Sequence, residues 1–251
     1  MSDLKDRYGV FLPAALLLAI GMGLAGWFVA EGLRAHGTAD RYVSVKGISE
    51  REVKADLAIW PLSFVVGGDD LVEVQRDLER NAALIEDFLT EAGFGEEEIE
   101  PQDLRVTDRQ AQVYNSGPLS GPRFIASQTI VLRSTEVDAV AELSGGLGRL
   151  VSQGVVLGND PNNYSPTTGP SFLFTELTAI KPEMIAEATA NARQGAEQFA
   201  ADSGAAVGGI RVANQGVFQI LPRDDAPGIY EPAQLYKKVR VVSTIDFSLE
   251  D

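Results

Sequence analysis

No charged side chain occurs between Arg7 and Glu31, and the apolar run there, GVFLPAALLLAIGMGLAGWFVA from Gly9 to Ala30, is twenty-two residues long. A helix rising ~1.5 Å per residue would make this run roughly 33 Å long, enough for a bilayer core of about 30 Å. Tyr8 and Trp27 sit near its ends, where amphipathic rings favour the headgroup level. Pro13 falls in the first turns, where a missing amide donor does least harm to a helix. The pattern predicts a short N-terminal segment at 1–8, a single transmembrane anchor at 9–30 and a polar linker at 31–40. The remainder, 41–251, is expected to be one folded domain.

A cleaved signal has an apolar stretch of about 7–15 residues followed by a small-residue cleavage site. Lys5 and Arg7 supply the positive leader, but the apolar run is too long, and Gly37-Thr38-Ala39 lies beyond Arg34. An uncleaved anchor is therefore expected. Ala15, Ala19, Gly23, Gly26 and Ala30 follow steps of four, four, three and four, which keeps them on one helical stripe. Small stripes let helices approach closely in lipid, so this one is a candidate packing face between anchors. Lysines and arginines flank the run on both sides (Lys5 and Arg7; Arg34, Arg41 and Lys46) and do not decide its orientation. Large domains translocate largely regardless of charge, which favours an inside N-terminus with the domain outside.

The 251 residues carry a formal charge of −15, which argues against nucleic acid as a partner, since phosphate binding needs a basic surface. The chain contains no cysteine, so disulfides, thiolate zinc sites and cysteine nucleophiles are excluded together. That suits an envelope compartment where stray thiols would oxidise.

Past the linker, Tyr42–Lys46 alternates as a first strand, and Val53–Val66 reads as a longer one with Pro61 marking an edge position or a bulge. Asp70 and Glu73 form a capping-box start for a helix with Leu71, Val74, Leu78, Ile85, Phe88 and Leu89 on one face, stopped by Gly93. The acidic stretch from Glu96 to Asp103 reads as a solvated turn. Strands are predicted at Leu104–Tyr114 and Phe124–Leu132 around the turn-rich Asn115–Pro122, then a helix at Glu136–Val151 and a short strand at Gly154–Leu157. Asn159–Pro170 is a loop whose spacing matches no EF-hand. A strand at Ser171–Thr175 precedes a helix starting at Pro182, with Ile185, Ala188, Ala192, Phe199 and Ala200 as its core stripe and Gly204 as its stop. Strands at Ile210–Ile220 and Lys237–Leu249 close the chain, the latter with Val239, Val241, Ile245, Phe247 and Leu249 inward. Helices separated by strand pairs indicate an α+β fold with largely antiparallel sheets.

These segments, in this order, resemble the SIMPL-domain proteins, the domain of unknown function 541. Val45–Phe64 (VKGISEREVKADLAIWPLSF) is similar to that family's opening hairpin, Asn81–Phe94 (NAALIEDFLTEAGF) to its first helix and Glu98–Thr107 (EIEPQDLRVT) to its following turn and strand. Ala188–Ile210 (ATANARQGAEQFAADSGAAVGGI) resembles its late helix, with an alanine ladder and a terminal glycine. The resemblance implies a SIMPL-type domain of mostly antiparallel strand pairs alternating with helices, following the N-terminal transmembrane helix. It further implies an envelope or periplasmic location, homo-oligomers that include closed rings, and a link to envelope integrity and stress tolerance without an established reaction. Asp108-Arg109-Gln110 departs from the aromatic-rich pattern common at that strand in the family.

No catalytic set is legible. The one histidine, His36, lies in the linker without an oriented partner, and no G-x-S-x-G elbow, Walker A loop or H-E-x-x-H helix occurs. No catalytic, cofactor-binding or metal-ligating residue is assigned, and no cofactor is expected. The expectation is a non-enzymatic protein of the bacterial inner membrane, single-pass, with its domain in the periplasm. Its partners would be the lipid bilayer and further copies of itself, in an envelope scaffold whose domains pair through a strand edge carrying Pro61 or through the closing strand Lys237–Leu249. The alternative is a periplasmic binding module, monomer or dimer, that captures a peptide or small ligand on its sheet.

Overall fold

The computed structural model describes residues 16–32, 41–111, 121–158 and 169–250. Residues 16–32 form a helix, α1, that continues through Glu31 and Gly32. Residues 9–15 of the expected anchor, with Tyr8, Ala15 and His36, lie outside the described residues, as do most of the 115–122 and 159–170 loops. Among the described residues no helix is long and apolar enough to cross a membrane.

The rest is α+β and antiparallel. In order, the elements are β1 (Tyr42–Lys54), β2 (Leu57–Gly68), α2 (Leu71–Glu91), β3 (Ile99–Asp108), β4 (Phe124–Ser134), α3 (Val137–Ser144), α4 (Gly148–Ser152), β5 (Ser171–Leu173), α5 (Leu177–Ser203), β6 (Ala206–Gln215), β7 (Gln219–Pro222) and β8 (Tyr236–Glu250). One sheet runs β3-β4-β2-β5; the other runs β1-β8-β6, with β7 also on β8. The β2–β4, β2–β5, β3–β4, β6–β8 and β7–β8 pairs are all antiparallel.

The chain divides into two compact units. The larger comprises Glu50–Met184 and Val217–Val241. Here β2 alternates strictly, burying Ala58, Trp60, Leu62, Phe64 and Val66. These meet Val74, Leu78, Ile85, Phe88 and Leu89 of α2, together with Ile130 and Leu132 of β4, in one apolar core. Asp70 caps α2 by accepting from Val72 N (2.8 Å) and Glu73 N (3.1 Å). Gly93 follows the helix in the left-handed region that favours glycine.

The smaller unit comprises Met1–Ser49, Ile185–Gly216 and Val242–Asp251. Its core joins Val45 of β1, Ala192 and Ala196 of α5, and Ile245 and Phe247 of β8. Ala188, Ala192, Ala196 and Ala200 are all buried at steps of four, so the helix presents almost bare backbone to the sheet. The approach is so close that a Cβ on Gly47 would lie 2.5 Å from Ala192 N and closer still to Ala188 O. Asn191 Nδ2 donates to Ile48 O (2.8 Å) and Ser49 Oγ to Glu187 (2.8 Å), fixing the register of helix on strand.

Several sequence expectations move. The long strand expected at Val53–Val66 is cut at Ala55–Asp56, where β1 ends and β2 begins. Period-two alternation continues through the cut, so pattern alone could not show it. Pro61 sits on β2, an interior strand, but β5 pairs only with Leu57–Ile59. Ser63 and Val65 bond onward to the 156–158 segment, and Pro61, in the same alternation, lies between that segment and the β5 pairing; having no N–H, it leaves no ladder donor unpaired there. The helix expected at Glu136–Val151 breaks into α3 and α4 at Gly145-Gly146. Residues 154–157 contribute only an isolated bridge from Leu157 to Phe64. The strand expected at Ile210–Ile220 splits into β6 and β7, because Gly216 N turns in to Val242 O (2.8 Å).

Helix α5 starts at Leu177, with Pro182 inside it, not at Pro182. Its buried stripe is Met184 with the four alanines; Ile185 is half-buried and Phe199 is 66% exposed. Neither proposed pairing edge is an edge: β2 lies between β4 and β5, and β8 between β1 and β6. Among the described residues the outer strands are β1, β6 and β7 of one sheet and β3 and β5 of the other.

Two substitutions test this packing by denaturant unfolding. Gly47→Ala should cost about 1–3 kcal/mol, because backbone must move to admit the methyl group. Gly195→Ala, in mid-α5 with open space around it, should instead gain up to ~1 kcal/mol. Equal effects would reject the close approach. A third, Asp56→Ala, removes the cap described below and should cost about 0.5–2 kcal/mol.

Candidate functional site

Two surfaces and four polar clasps stand out among the described residues. The first surface is α1. Every described residue of this helix is exposed, including Leu16, Leu17, Ile20, Leu24, Trp27 at 71% and Phe28 at 74%. Ala19, Gly23, Gly26 and Ala30 share one stripe, and a Cβ on Gly23 or Gly26 would meet nothing within 4 Å. The small-residue stripe is thus brought onto one uncovered face as far as it is described, with Trp27 beside it.

The second surface belongs to the larger unit and was not assigned from sequence. Helix α2 packs on β2 and β4, which leaves the edge strand β3 uncovered beside it. A groove of about 460 Å³ results, lined by Leu71, Val74, Gln75, Leu78 and Glu79 of α2, Leu104 and Val106 of β3, and Ala126 and Gln128 of β4. A bulge shapes it. The β3–β4 register shifts between Gln102 and Arg105, with Asp103 at φ 50°, and Leu104 projects beside it. Leu104 is 61% exposed and Val106 49%. Further along the same helix and strand lies a second pocket of about 330 Å³, lined by Glu86, Asp87, Thr90, Glu96 and Ile99. The Leu104-x-Val106 alternation was legible; that α2 would stop short of covering it was not. Leu71, expected in the core stripe, lines this groove instead.

The clasps are local. Asp56 accepts from Thr175 N, Thr175 Oγ1 and Glu176 N (2.9–3.0 Å), capping the start of α5 from a distant segment. Lys237 is fully buried, its Nζ paired with Glu231 Oε1 (2.7 Å) and donating to the Glu231 carbonyl. Lys54 bonds Asp138, and that hydrogen bond raises the lysine above its ordinary value. Arg123 closes the base of the β3–β4 hairpin: it pairs with Asp108 (2.9 Å), stacks on the Phe124 ring, and its amide donates to Asp69. The hydrogen bond from Arg123 holds the Asp108 carboxyl below the usual carboxylate range.

None of these arrangements pairs a nucleophile with an oriented base. Among the described residues no group of three or more His, Cys, Asp or Glu side chains is placed to hold a metal ion. The acidic 96–103 stretch folds as a short 3₁₀ turn running into β3, with Glu98 accepting from Gly95 N (2.9 Å).

A family model, described as SIMPL, protein of unknown function (DUF541), matches residues 43–242. The chain belongs to the SIMPL family. No curated protein matches it. The SIMPL match spans both units, from β1 into β8, and so includes the α2–β3 groove but not α1. The uncovered helix therefore lies outside the SIMPL domain proper.

Asp108 carries a pH prediction. Its folded value is depressed, so the clasp stabilises above the unfolded value of about 3.9 and is lost as pH falls through the lower folded value. An NMR titration of the Asp108 carboxyl should find a midpoint below ~3.9, returning toward it in Arg123→Gln. A midpoint at or above ~3.9 in the intact chain would reject the clasp.

Proposed function

We propose that this SIMPL-family protein is tethered to the bacterial inner membrane through the helix within residues 9–30, with its α+β domain in the periplasm, as a non-enzymatic homo-oligomeric scaffold of the envelope. The single observation that carries the reading is α1. Each large apolar side chain moved from water to an apolar medium gains about 1.5–3 kcal/mol, so a helix bearing nine of them uncovered has a strong drive into lipid. The described helix is shorter than a full span; the uncharged run in the sequence, Gly9–Ala30, is long enough for one.

Assembly has two supports. Within the bilayer, the Ala19–Gly23–Gly26–Ala30 stripe lets backbones of neighbouring anchors approach. Outside it, β6 is an outer strand among the described residues with Ile210 and Val212 exposed, and unpaired strand edges template pairing with another chain. The alternative, a peptide- or ligand-binding module, is favoured by the α2–β3 groove.

The test is to compare the full chain, in detergent and in a vesicle flotation assay, with a truncated chain beginning at Asp40. The full chain should float with vesicles and the truncated one should not. Light scattering should give more than one subunit for the full chain, and a lower number for Gly23→Leu with Gly26→Leu. An unchanged mass in that double variant removes the stripe; monomers throughout remove the scaffold.

A further inference from the structure

The groove beside α2 differs in chemistry along its length. Its first part is apolar, with Leu71, Val74 and Leu78 facing Leu104 and Val106; Glu79 is the charged residue there. Its second part carries three carboxylates, Glu86, Asp87 and Glu96. The described residues lining either part include no lysine or arginine. The centres of the two parts are thirteen residues apart on α2, near Gln75 and Asp87–Phe88, or about 20 Å at 1.5 Å per residue. An extended chain at ~3.3 Å per residue covers that distance in about six residues. Beside the groove, β3 is an outer strand with β4 as its one neighbour among the described residues, a position that suits an added strand.

We propose that this groove binds an extended peptide segment with alternating apolar side chains at one end and a lysine or arginine about six residues further on. The apolar end fills the space between Leu78 and Leu104, and the cation meets Glu86, Asp87 and Glu96. Charge selects this occupant over a second copy of the chain. At this groove Glu79, Glu86, Asp87 and Glu96 repel an acidic segment of another copy and attract a basic one. The inference depends neither on the membrane anchor nor on assembly, since every residue it uses lies in the larger unit.

The experiment is panning of a random twelve-residue peptide display library on the full chain in mild detergent, with counter-selection on the double variant Leu104→Asp, Val106→Asp. Both side chains are largely exposed, so the variant should melt with the parent. Enriched peptides should carry an apolar-x-apolar pair followed by Lys or Arg at about six residues. In fluorescence polarisation the best of them, made synthetically, should bind at least tenfold more weakly to the double variant, and likewise to Glu86→Lys with Glu96→Lys. Affinity should fall as salt rises. No enrichment over the double variant overturns the proposal, as does enrichment of peptides without a basic residue or affinity indifferent to both variants. Groove resonances that change with protein concentration alone, and not with peptide, would assign the surface to another copy and overturn it equally.

Discussion

The two-residue turn at Ala55–Asp56 is the point on which the larger unit depends. Its backbone bonds both ways: Ala55 N to Leu235 O, ahead of β8, and Asp56 N to Leu173 O, at the end of β5 (2.9 Å each). The Asp56 carboxylate then takes three donors from Thr175 and Glu176 and so satisfies the otherwise orphaned amides at the start of α5. One acidic side chain thus joins segments more than a hundred residues apart in sequence. It also decides where β2 starts, and hence which of its residues alternate into the core around Trp60 and Phe64.

The smaller unit rests on a different constraint, distance. Its helix buries alanines, which contribute little apolar area each, so stability there must come from close backbone approach and from the Asn191 and Glu187 hydrogen bonds. Gly47 is the complement on the strand. A larger residue at any of these positions would hold helix and strand apart and expose Val45, Ile245 and Phe247 together. The two units therefore tolerate change differently: the larger has bulk to repack, the smaller has none.

This contrast explains what could be read in advance. The α+β class, the helix at α2 with its Asp70 cap and Gly93 stop, and the alternation of β8 were legible, because each is written in local periodicity and capping chemistry. The alanine ladder was visible as a ladder. Helical spacing places Phe199 beside the ladder, whereas the close approach of Gly47 to Ala188 and Ala192 leaves that face to small side chains and Phe199 stays exposed. The breaks at Ala55–Asp56 and Gly216 were not legible, since each is made by a hydrogen bond to a remote carbonyl while the apolar pattern runs on. Of the candidate surfaces, α1 announced itself by its uncharged length. The groove did not, because it exists only through the lateral placement of α2 over β2 and β4 instead of β3.

That placement leaves an apolar edge beside an acidic helix, and the combination bears on what a chain of this composition can bind. An isolated apolar groove on an open edge would adhere to any exposed strand. Here carboxylates at Glu79, Glu86, Asp87 and Glu96 line the groove and act over a screening length of about 8 Å at physiological ionic strength. An acidic strand entering it meets like charge, and β3 itself is irregular at the Gln102–Arg105 bulge, which disfavours pairing with a long regular strand. The same features that discourage indiscriminate pairing leave a short basic segment unopposed. Selectivity in this surface therefore comes from what it repels as much as from the leucine and valine contacts it offers.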